Sequence, residues 1–266
     1  MNNTINAVDV GRRRSLFLCG CLSTLGIAGA LTARPASAAY EVVTVTNGGT
    51  IDGYITLSGE PPSGSMLKVT KNQDYCGTSI PDPTYTVGRG GGLGNVIVYL
   101  KNVTKGKAPP TGPAVLVDDH CMINPHVQGA MVGEQVKMSS NDPILHNTHA
   151  LHAETNATIY NVALPFAGIS LTKPLPETPG LIKIKCDAQE WMHAWIMELD
   201  HPYYATTGAD GHFIIQDVPP GSYTLVAWHE ATGEKSEPVV VAAGRTVEAK
   251  IALAATSMSA RRGSVD

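Results

Sequence analysis

Hydrophobic and polar residues alternate in short runs along most of the chain after residue 39. Eleven runs are β-branched or alternating, and clusters of Gly, Pro, Asn and Asp separate them. The runs cover 40–46, 50–57, 95–99, 114–117, 135–139, 157–162, 181–185, 212–216, 223–228, 238–242 and 246–253. No window of a dozen residues keeps a helical period, although 190–197 has room for about one helical turn. This pattern predicts an all-β protein made of packed sandwiches.

The stretch 205–253 has the order turn, strand, turn, strand. Asp210-Gly211 suits a turn with a positive φ, and Pro219-Pro220-Gly221 suits a proline-directed turn. The stretch resembles the carboxypeptidase regulatory-like, or prealbumin-like, domain, a β-sandwich module that is generally not catalytic. The expected organisation is therefore a larger domain over 39–200, a smaller prealbumin-like sandwich over 201–254 and a disordered tail over 255–266.

Residues 1–38 have the composition of an export signal. Arg12-Arg13-Arg14 precedes an apolar run, and Ala36-Ser37-Ala38 supplies the small residues of a cleavage site. The arginine pair indicates the twin-arginine type. A membrane anchor is the alternative, but the run is shorter than the ~20 residues that span a bilayer. We expect a periplasmic or secreted protein with no membrane span in its mature chain.

The charge balance narrows the choice of partners. The whole chain has a formal charge of −4. Residues 1–38 hold four arginines and one aspartate, so without them 15 basic side chains stand against 22 acidic ones, a charge of −7. No basic patch stands out, which excludes nucleic acid as the expected partner. The oligomeric state stays open.

Three cysteines remain after the signal: Cys76, Cys121 and Cys186. An oxidising compartment allows one disulfide, so one thiol is left that needs a role of its own.

Candidate metal ligands lie in two segments. The first, 141–149, contains His146 and His149, and the second, 185–193, contains Cys186, Met192 and His193. A copper ion that carries one electron favours a soft thiolate and imidazoles, with a weak thioether on its axis. The two segments together therefore suggest a copper site.

These segments resemble those of the plastocyanin- and amicyanin-like cupredoxins, which include periplasmic proteins of the methylamine-utilisation type. His146-Asn147-Thr148-His149 is similar to the upstream His-Asn-Val-His of amicyanin, and the run from Cys186 is similar to its Cys-x-x-His-x-x-Met loop. The resemblance implies a cupredoxin-like Greek-key sandwich. It also implies that His146, Cys186 and Met192 are copper ligands, the last one axial.

The second imidazole of that ligand set is missing, because Gln189 stands at the position of the loop histidine. An amide oxygen is a hard ligand and a poor replacement for imidazole in a site that serves both copper states. His193, His149 and Glu190 are the candidates to replace it. Alternatively, the loop persists only as packing.

Each candidate ligand also has a structural interpretation. Cys186 can be a buried small hydrophobe, His146 a turn residue and Met192 a core residue. The disulfide that we favour joins Cys76 to Cys121, and it leaves Cys186 as the thiol that a metal site needs.

The sequence shows no nucleophile elbow, no His-Glu-x-x-His helix and no informative pair of carboxylates, so we do not expect an enzyme. Three hypotheses remain. The first is a periplasmic electron-transfer protein with copper as its cofactor, and the second is a protein that stores or delivers copper. The third is a metal-free binding or scaffold module of the cell envelope. The expected partner is a redox protein or an envelope protein.

Overall fold

The computed structural model describes residues 40–61 and 66–255. The predicted export signal lies outside the described residues, and so does the predicted tail apart from Ala255. That residue donates its backbone N–H to the carbonyl of Ser58 at 2.8 Å. Within the described part of the chain, no helix is long and apolar enough to span a membrane.

Short strands make up most of the described residues, and the α-helix α1 (Gln73–Cys76) is only four residues long. The strands, in chain order, are β1 (Glu41–Val42), β2 (Gly49–Ser58), β3 (Met66–Lys68), β4 (Ser79–Pro81), β5 (Ile97–Lys101), β6 (Lys105–Gly106), β7 (Ala114–Asp119), β8 (Met122–Asn124), β9 (Val127–Met131), β10 (Gln135–Ser140), β11 (His146–His152), β12 (Thr158–Leu164), β13 (Ser170–Pro174), β14 (Gly180–Lys185), β15 (His193–Leu199), β16 (Tyr204–Thr206), β17 (His212–Val218), β18 (Gly221–His229), β19 (Gly233–Val241) and β20 (Thr246–Ala254). The prediction of an all-β protein is confirmed.

The larger sandwich packs two sheets around one core. Its strand orders are β13-β10-β7-β8 and β12-β11-β14-β15-β9. Two pairings, β7 with β10 and β9 with β15, are parallel, and the other pairings in these sheets are antiparallel. Cys186 and Met192 belong to the buried core between the sheets, together with residues such as Met138 and Ile184.

The smaller sandwich contains strands from both ends of the described chain. Its sheets have the orders β16-β5-β18-β19 and β17-β2-β20. β2 pairs in parallel with β20, and β5 pairs with β18, so residues 49–58 and 97–101 lie in this sandwich rather than in the domain 39–200. The larger sandwich is thus inserted between β5 and β16. Ile51 and Ile55 pack in one core with Ile251, and a local run of residues does not reveal such a distant partner.

The Asp210-Gly211 turn has the backbone that its sequence predicts, since Gly211 has a φ of 78°. A Cβ at this position would lie 2.1 Å from the carbonyl oxygen of Ile55. Only a residue without a side chain therefore lets the turn approach β2 this closely.

The helical turn expected within 190–197 is absent, because His193 begins strand β15. β15 lies between β14 and β9 and is buried along most of its length. A strand buried on both faces has a continuous apolar run instead of strict alternation, which makes it hard to tell from a buried helix.

The histidines of β11 do not keep strict alternation. On a regular strand, His146 and His152 would share one face and His149 would lie on the other. His146 is buried, while His152, the last residue of β11, is exposed. His149 lies on the opposite face from His146, as alternation requires.

A third apolar cluster joins the two sandwiches. It includes Val127 and Leu199 from the larger one and Ile97 and Val226 from the smaller one. Trp195 and Trp228 meet edge to face across this boundary, with ring centroids 5.6 Å apart. Burial of this apolar surface makes the described residues one compact unit.

Candidate metal centre

The loop from Cys186 to Met192 folds back on itself between β14 and β15. The backbone N–H of Cys186 donates to the carbonyl of Met192 at 3.1 Å, and that of Met192 donates to the carbonyl of Gln189 at 3.0 Å. Both sulfur side chains are buried in the core of the larger sandwich. The loop therefore presents one thiol and one thioether on its inner side.

His146 approaches the thiol from the first residue of β11. Its Nδ1 lies 3.8 Å from Cys186 Sγ, and its Nε2 lies 2.9 Å from Asp142 Oδ2. Both His146 and Asp142 have fully buried side chains. Because a carboxylate can only accept, the proton of the neutral ring sits on Nε2, and the Nδ1 lone pair points toward the sulfur. This is how a metal-binding imidazole is oriented by an outer partner.

Asp142 is held by more than the histidine. It accepts the backbone N–H groups of His120 at 2.7 Å and Cys121 at 2.9 Å, and the hydroxyl of Tyr75 at 2.9 Å. Asp142 is not among the residues expected from the sequence. The signal that could have found it is the carboxylate four positions before His146 in a polar segment.

The disulfide brings these supporting groups together. Cys76 is bonded to Cys121, and Cys186 is a buried thiol. This is the pairing favoured from the sequence. Because Cys76 ends α1, the bond holds that helix and Tyr75 against the turn between β7 and β8. The indole N–H of Trp191 donates to the carbonyl of Cys121 at 3.1 Å and ties the same turn to the ligand loop.

Gln189 occupies the place next to the thiol. Its Oε1 lies 3.1 Å from Cys186 Sγ, and its Nε2 donates to Asn72 Oδ1 at 3.0 Å. The side chain is buried and fixed at both ends, so its amide oxygen is held against the sulfur. Asn72 is a second supporting residue that the sequence analysis did not identify.

Burial decides the protonation of the thiol. It raises the pKa of Cys186, and the backbone N–H groups of Asn147 and Gln189, each 3.4 Å from the sulfur, oppose this only in part. Cys186 without a metal is therefore a protonated thiol at neutral pH that donates to Gln189. A metal ion bound there must displace this proton.

The candidate replacements for the second imidazole lie elsewhere. His149 faces away from the thiol and pairs with Asp187 at 2.9 Å, and Glu190 is exposed. His193, named from the sequence as a metal ligand beside Cys186, pairs instead with Glu230 of the smaller sandwich at 3.2 Å. Because His193 is the first residue of β15, the strand carries it past the end of the loop. The structure thus brings His146, Cys186 and Gln189 together.

The residues present fit a copper ion in all but one position. A thiol, an oriented imidazole and a buried thioether come from the segments that the resemblance names, and His146 Nδ1 has its lone pair directed at the thiol. The fourth donor is the amide oxygen of Gln189 instead of an imidazole. This donor set suits a thiolate-bound copper ion with a harder ligand field than two imidazoles give.

Comparisons with known proteins find a family model and several solved structures. The family model, described as polysaccharide lyase family 4, domain II, matches residues 180–249, which include most of the smaller sandwich together with β14 and β15. No curated protein matches this chain.

The solved structures that match cover about a third of the chain. Amicyanin from Paracoccus versutus has 12% identity and a TM-score of 0.30, and covers 34% of this chain and 84% of its own. A purple cupredoxin from Nitrosopumilus maritimus has 18% identity and a TM-score of 0.28, and covers 32% and 99%. A copper-containing nitrite reductase from Thermus scotoductus has 17% identity and a TM-score of 0.30, and covers 35% and 24%. These proteins are similar to part of this chain, and the strand orders themselves define its two β-sandwiches.

Proposed function

We propose that this protein binds copper at Cys186 and serves electron transfer in the periplasm. The observation that carries the proposal is the line Asp142–His146–Cys186. A buried carboxylate orients an imidazole, and the lone-pair nitrogen of that imidazole faces a buried thiol at 3.8 Å. A buried histidine that serves only packing does not need this orientation.

Each protein group has a distinct part in the proposed site. His146, Cys186 and Met192 hold the ion, and Gln189 is the fourth candidate ligand. Burial excludes water, and the disulfide and Asp142 keep the donors in place. A bound copper ion supplies one-electron chemistry by cycling between Cu(II) and Cu(I).

Copper titration of the mature chain tests the proposal. We expect about one equivalent of Cu(II) to bind and to produce a thiolate-to-copper absorption band. Cys186→Ala removes both the band and tight binding. The matched control is His149→Ala against His146→Ala: the two residues lie on opposite faces of one strand, and only His146→Ala weakens the site. Unchanged uptake and spectrum in Cys186→Ala contradict the proposal.

A second candidate function is a metal-free binding module of the cell envelope. The observation that favours it is the set of hydrogen bonds around Cys186, in which the thiol donates to Gln189 and accepts from two backbone N–H groups. The site is thus satisfied without an ion. Copper uptake separates the two candidates, because the metal-free module takes up no copper at micromolar concentration.

We also propose that the protein is exported, that it acts with a partner protein and that it is not an enzyme. The supporting sequence feature for export is the arginine pair before a moderate apolar run. N-terminal sequencing of protein isolated from the periplasm should find a chain that begins near Ala39. The expected partner is a redox or envelope protein, and the expected role is transfer rather than catalysis.

A further inference from the structure

A second group of metal-binding side chains lies where the two sandwiches meet. His126 precedes β9, His193 begins β15, and Glu230 follows β18 of the smaller sandwich. Their ligand atoms lie within 4.8 Å of one another, and among the described residues this is the one group of three His, Cys, Asp or Glu side chains that does so. His126 and Glu230 are 6% and 8% exposed, and His193 is 22% exposed.

The outer hydrogen bonds of the two rings define their orientation. His126 Nδ1 lies 3.1 Å from the carbonyl oxygen of His193, and His193 Nδ1 lies 3.3 Å from that of Trp191. Because carbonyls only accept, each Nδ1 carries a proton. In the neutral rings both Nε2 atoms are then lone-pair nitrogens. A metal-ligating histidine typically donates its other ring N–H in this way.

Both Nε2 atoms point at the same carboxylate. His126 Nε2 contacts Glu230 Oε1, and His193 Nε2 lies 3.2 Å from Glu230 Oε2. Two ligands on a tetrahedral zinc ion with bonds of 2.0–2.1 Å are separated by about 3.3 Å. Two neutral imidazoles would set lone pairs against carboxylate oxygens, so either a metal ion or a proton on Nε2 must lie between them.

Glu230 is itself positioned by the larger sandwich. The indole N–H of Trp195 donates to its Oε2 at 2.7 Å. The carboxylate is therefore held with one oxygen toward each histidine.

We propose that His126, His193 and Glu230 bind a divalent metal ion of the zinc type and that this ion joins the two sandwiches. Two imidazoles and a carboxylate form a known zinc ligand set that leaves one position for water or another small ligand. The set contains no sulfur, so its metal preference differs from that of the thiol site. Since His193 follows Met192 directly, the ion also anchors the end of the loop that carries the thiol.

The alternative for the same side chains is an ion pair without a metal, in which an imidazolium takes the place of the ion. The pKa of His193 is raised because the partnership with Glu230 outweighs burial, which favours the ion pair while no metal is bound. Direct metal binding is therefore the measurement that decides.

The test uses the mature chain with Cys186→Ala as the parent, so that metal at the thiol is not counted and the copper proposal does not affect the result. After removal of metals with a chelator, we expect the parent to bind one equivalent of Zn²⁺. Zinc at 100 times its Kd should raise the Tm by about 5–10 °C. No zinc uptake by the parent overturns the proposal.

Three variants of this parent grade the effect. Glu230→Gln keeps the shape and loses the charged ligand, so zinc affinity should fall by more than the roughly 10–100-fold that loss of an outer partner costs. Trp195→Phe removes that outer partner and should cost about 10-fold. The matched control is His212→Gln, since His212 pairs with Asp52 at 2.8 Å elsewhere on the smaller sandwich and should leave zinc binding unchanged.

Two further measurements keep the result decisive. If Glu230→Gln does not fold, His193→Gln replaces it, because this side chain is partly exposed. X-ray absorption at the zinc edge of the Cys186→Ala parent should show nitrogen and oxygen neighbours. Sulfur neighbours, or equal zinc affinity in the parent and in the folded ligand variant, overturn the proposal.

Discussion

Two sites lie at opposite ends of one short segment, the thiol site around Cys186 and the interface cluster of His126, His193 and Glu230. The thiol site is built within one sandwich, from a loop and the start of a neighbouring strand. The interface cluster takes one ligand from the other sandwich. Met192 ends the first site and His193 belongs to the second, so adjacent residues serve different partners.

The two sites also differ in how burial acts on their acidic groups. Around Cys186, burial prevails over the surrounding hydrogen bonds and raises the pKa of the thiol. Around Glu230, two histidines prevail over burial and lower the pKa of the carboxylate. A buried acid thus stays protonated or ionised according to the partners that the fold supplies.

The largest expected effect is the loss of stability when Asp142, which supports the thiol site and not the interface cluster, is replaced. Asp142→Ala leaves two backbone N–H groups, Tyr75 and His146 without their acceptor. We expect a loss of about 3–5 kcal/mol in the free energy of unfolding, measured by denaturant titration of the metal-free protein. Asp119→Ala, at the partly exposed neighbouring carboxylate, is the control and should cost far less. Equal losses in the two variants would show that Asp142 is not a special anchor.

Removal of the disulfide should also affect the thiol site and not the interface cluster. The double variant Cys76→Ser with Cys121→Ser is expected to lose about 2–4 kcal/mol of stability. Its copper affinity should fall because the disulfide holds Tyr75, whose hydroxyl donates to Asp142, in place beside the thiol site. Its zinc affinity should not change. Peptide mapping without reduction checks the native pairing. A map that placed Cys186 in the disulfide would remove the thiol site.

Gln189→His tests whether the loop folds as a ligand loop. A second imidazole beside Cys186 should raise copper affinity by about 10–100-fold and strengthen the visible absorption, with zinc affinity unchanged. Gln128→His, on β9 of the same sandwich, is the control for an added histidine. His193→Ala should leave copper binding as it is, because this residue belongs to the interface cluster. If Gln189→His alters neither affinity nor colour, the metal-free module is the better account.

The last prediction concerns pH. Burial and then the charge of Asp142 raise the pKa of Asp118 to about 7, and burial and then Glu177 raise that of Glu198 to about 8. The folded protein therefore holds protons that the unfolded chain releases above its ordinary carboxyl pKa. Stability of the metal-free protein should therefore fall as the pH rises from 5 to 8.5.

Thermal unfolding across this pH range measures the effect. The pKa of His193 is also raised, and a raised histidine pKa acts in the same direction, since its stabilisation is lost as the pH rises through the folded value. Glu198→Gln should flatten the upper part of the profile. A profile that rises from pH 5 to 8.5 would contradict these shifts.

Particular elements show how far sequence reasoning reaches. The runs 135–139 and 246–253 differ by no more than one residue at either end from β10 and β20, because alternation and β-branching are local properties of the chain. β9 and β15 were missed, since neither has a clear alternation between turn residues. His152 is exposed at the end of β11 although His146, on the same face of a regular strand, is buried, which periodicity alone does not predict.

The sequence by itself determined the strand-rich pattern, the turn at Gly211, and the candidates His146, Cys186 and Met192, with Gln189 at the position of the second imidazole. These follow from residue types at short spacings. Only the tertiary structure decided that β2 and β5 complete the smaller sandwich, that Asp142 orients His146, and that His193 meets Glu230. Each of these depends on residues distant in the chain being brought together by burial of apolar surface, and burial does not reveal its partners in a local pattern.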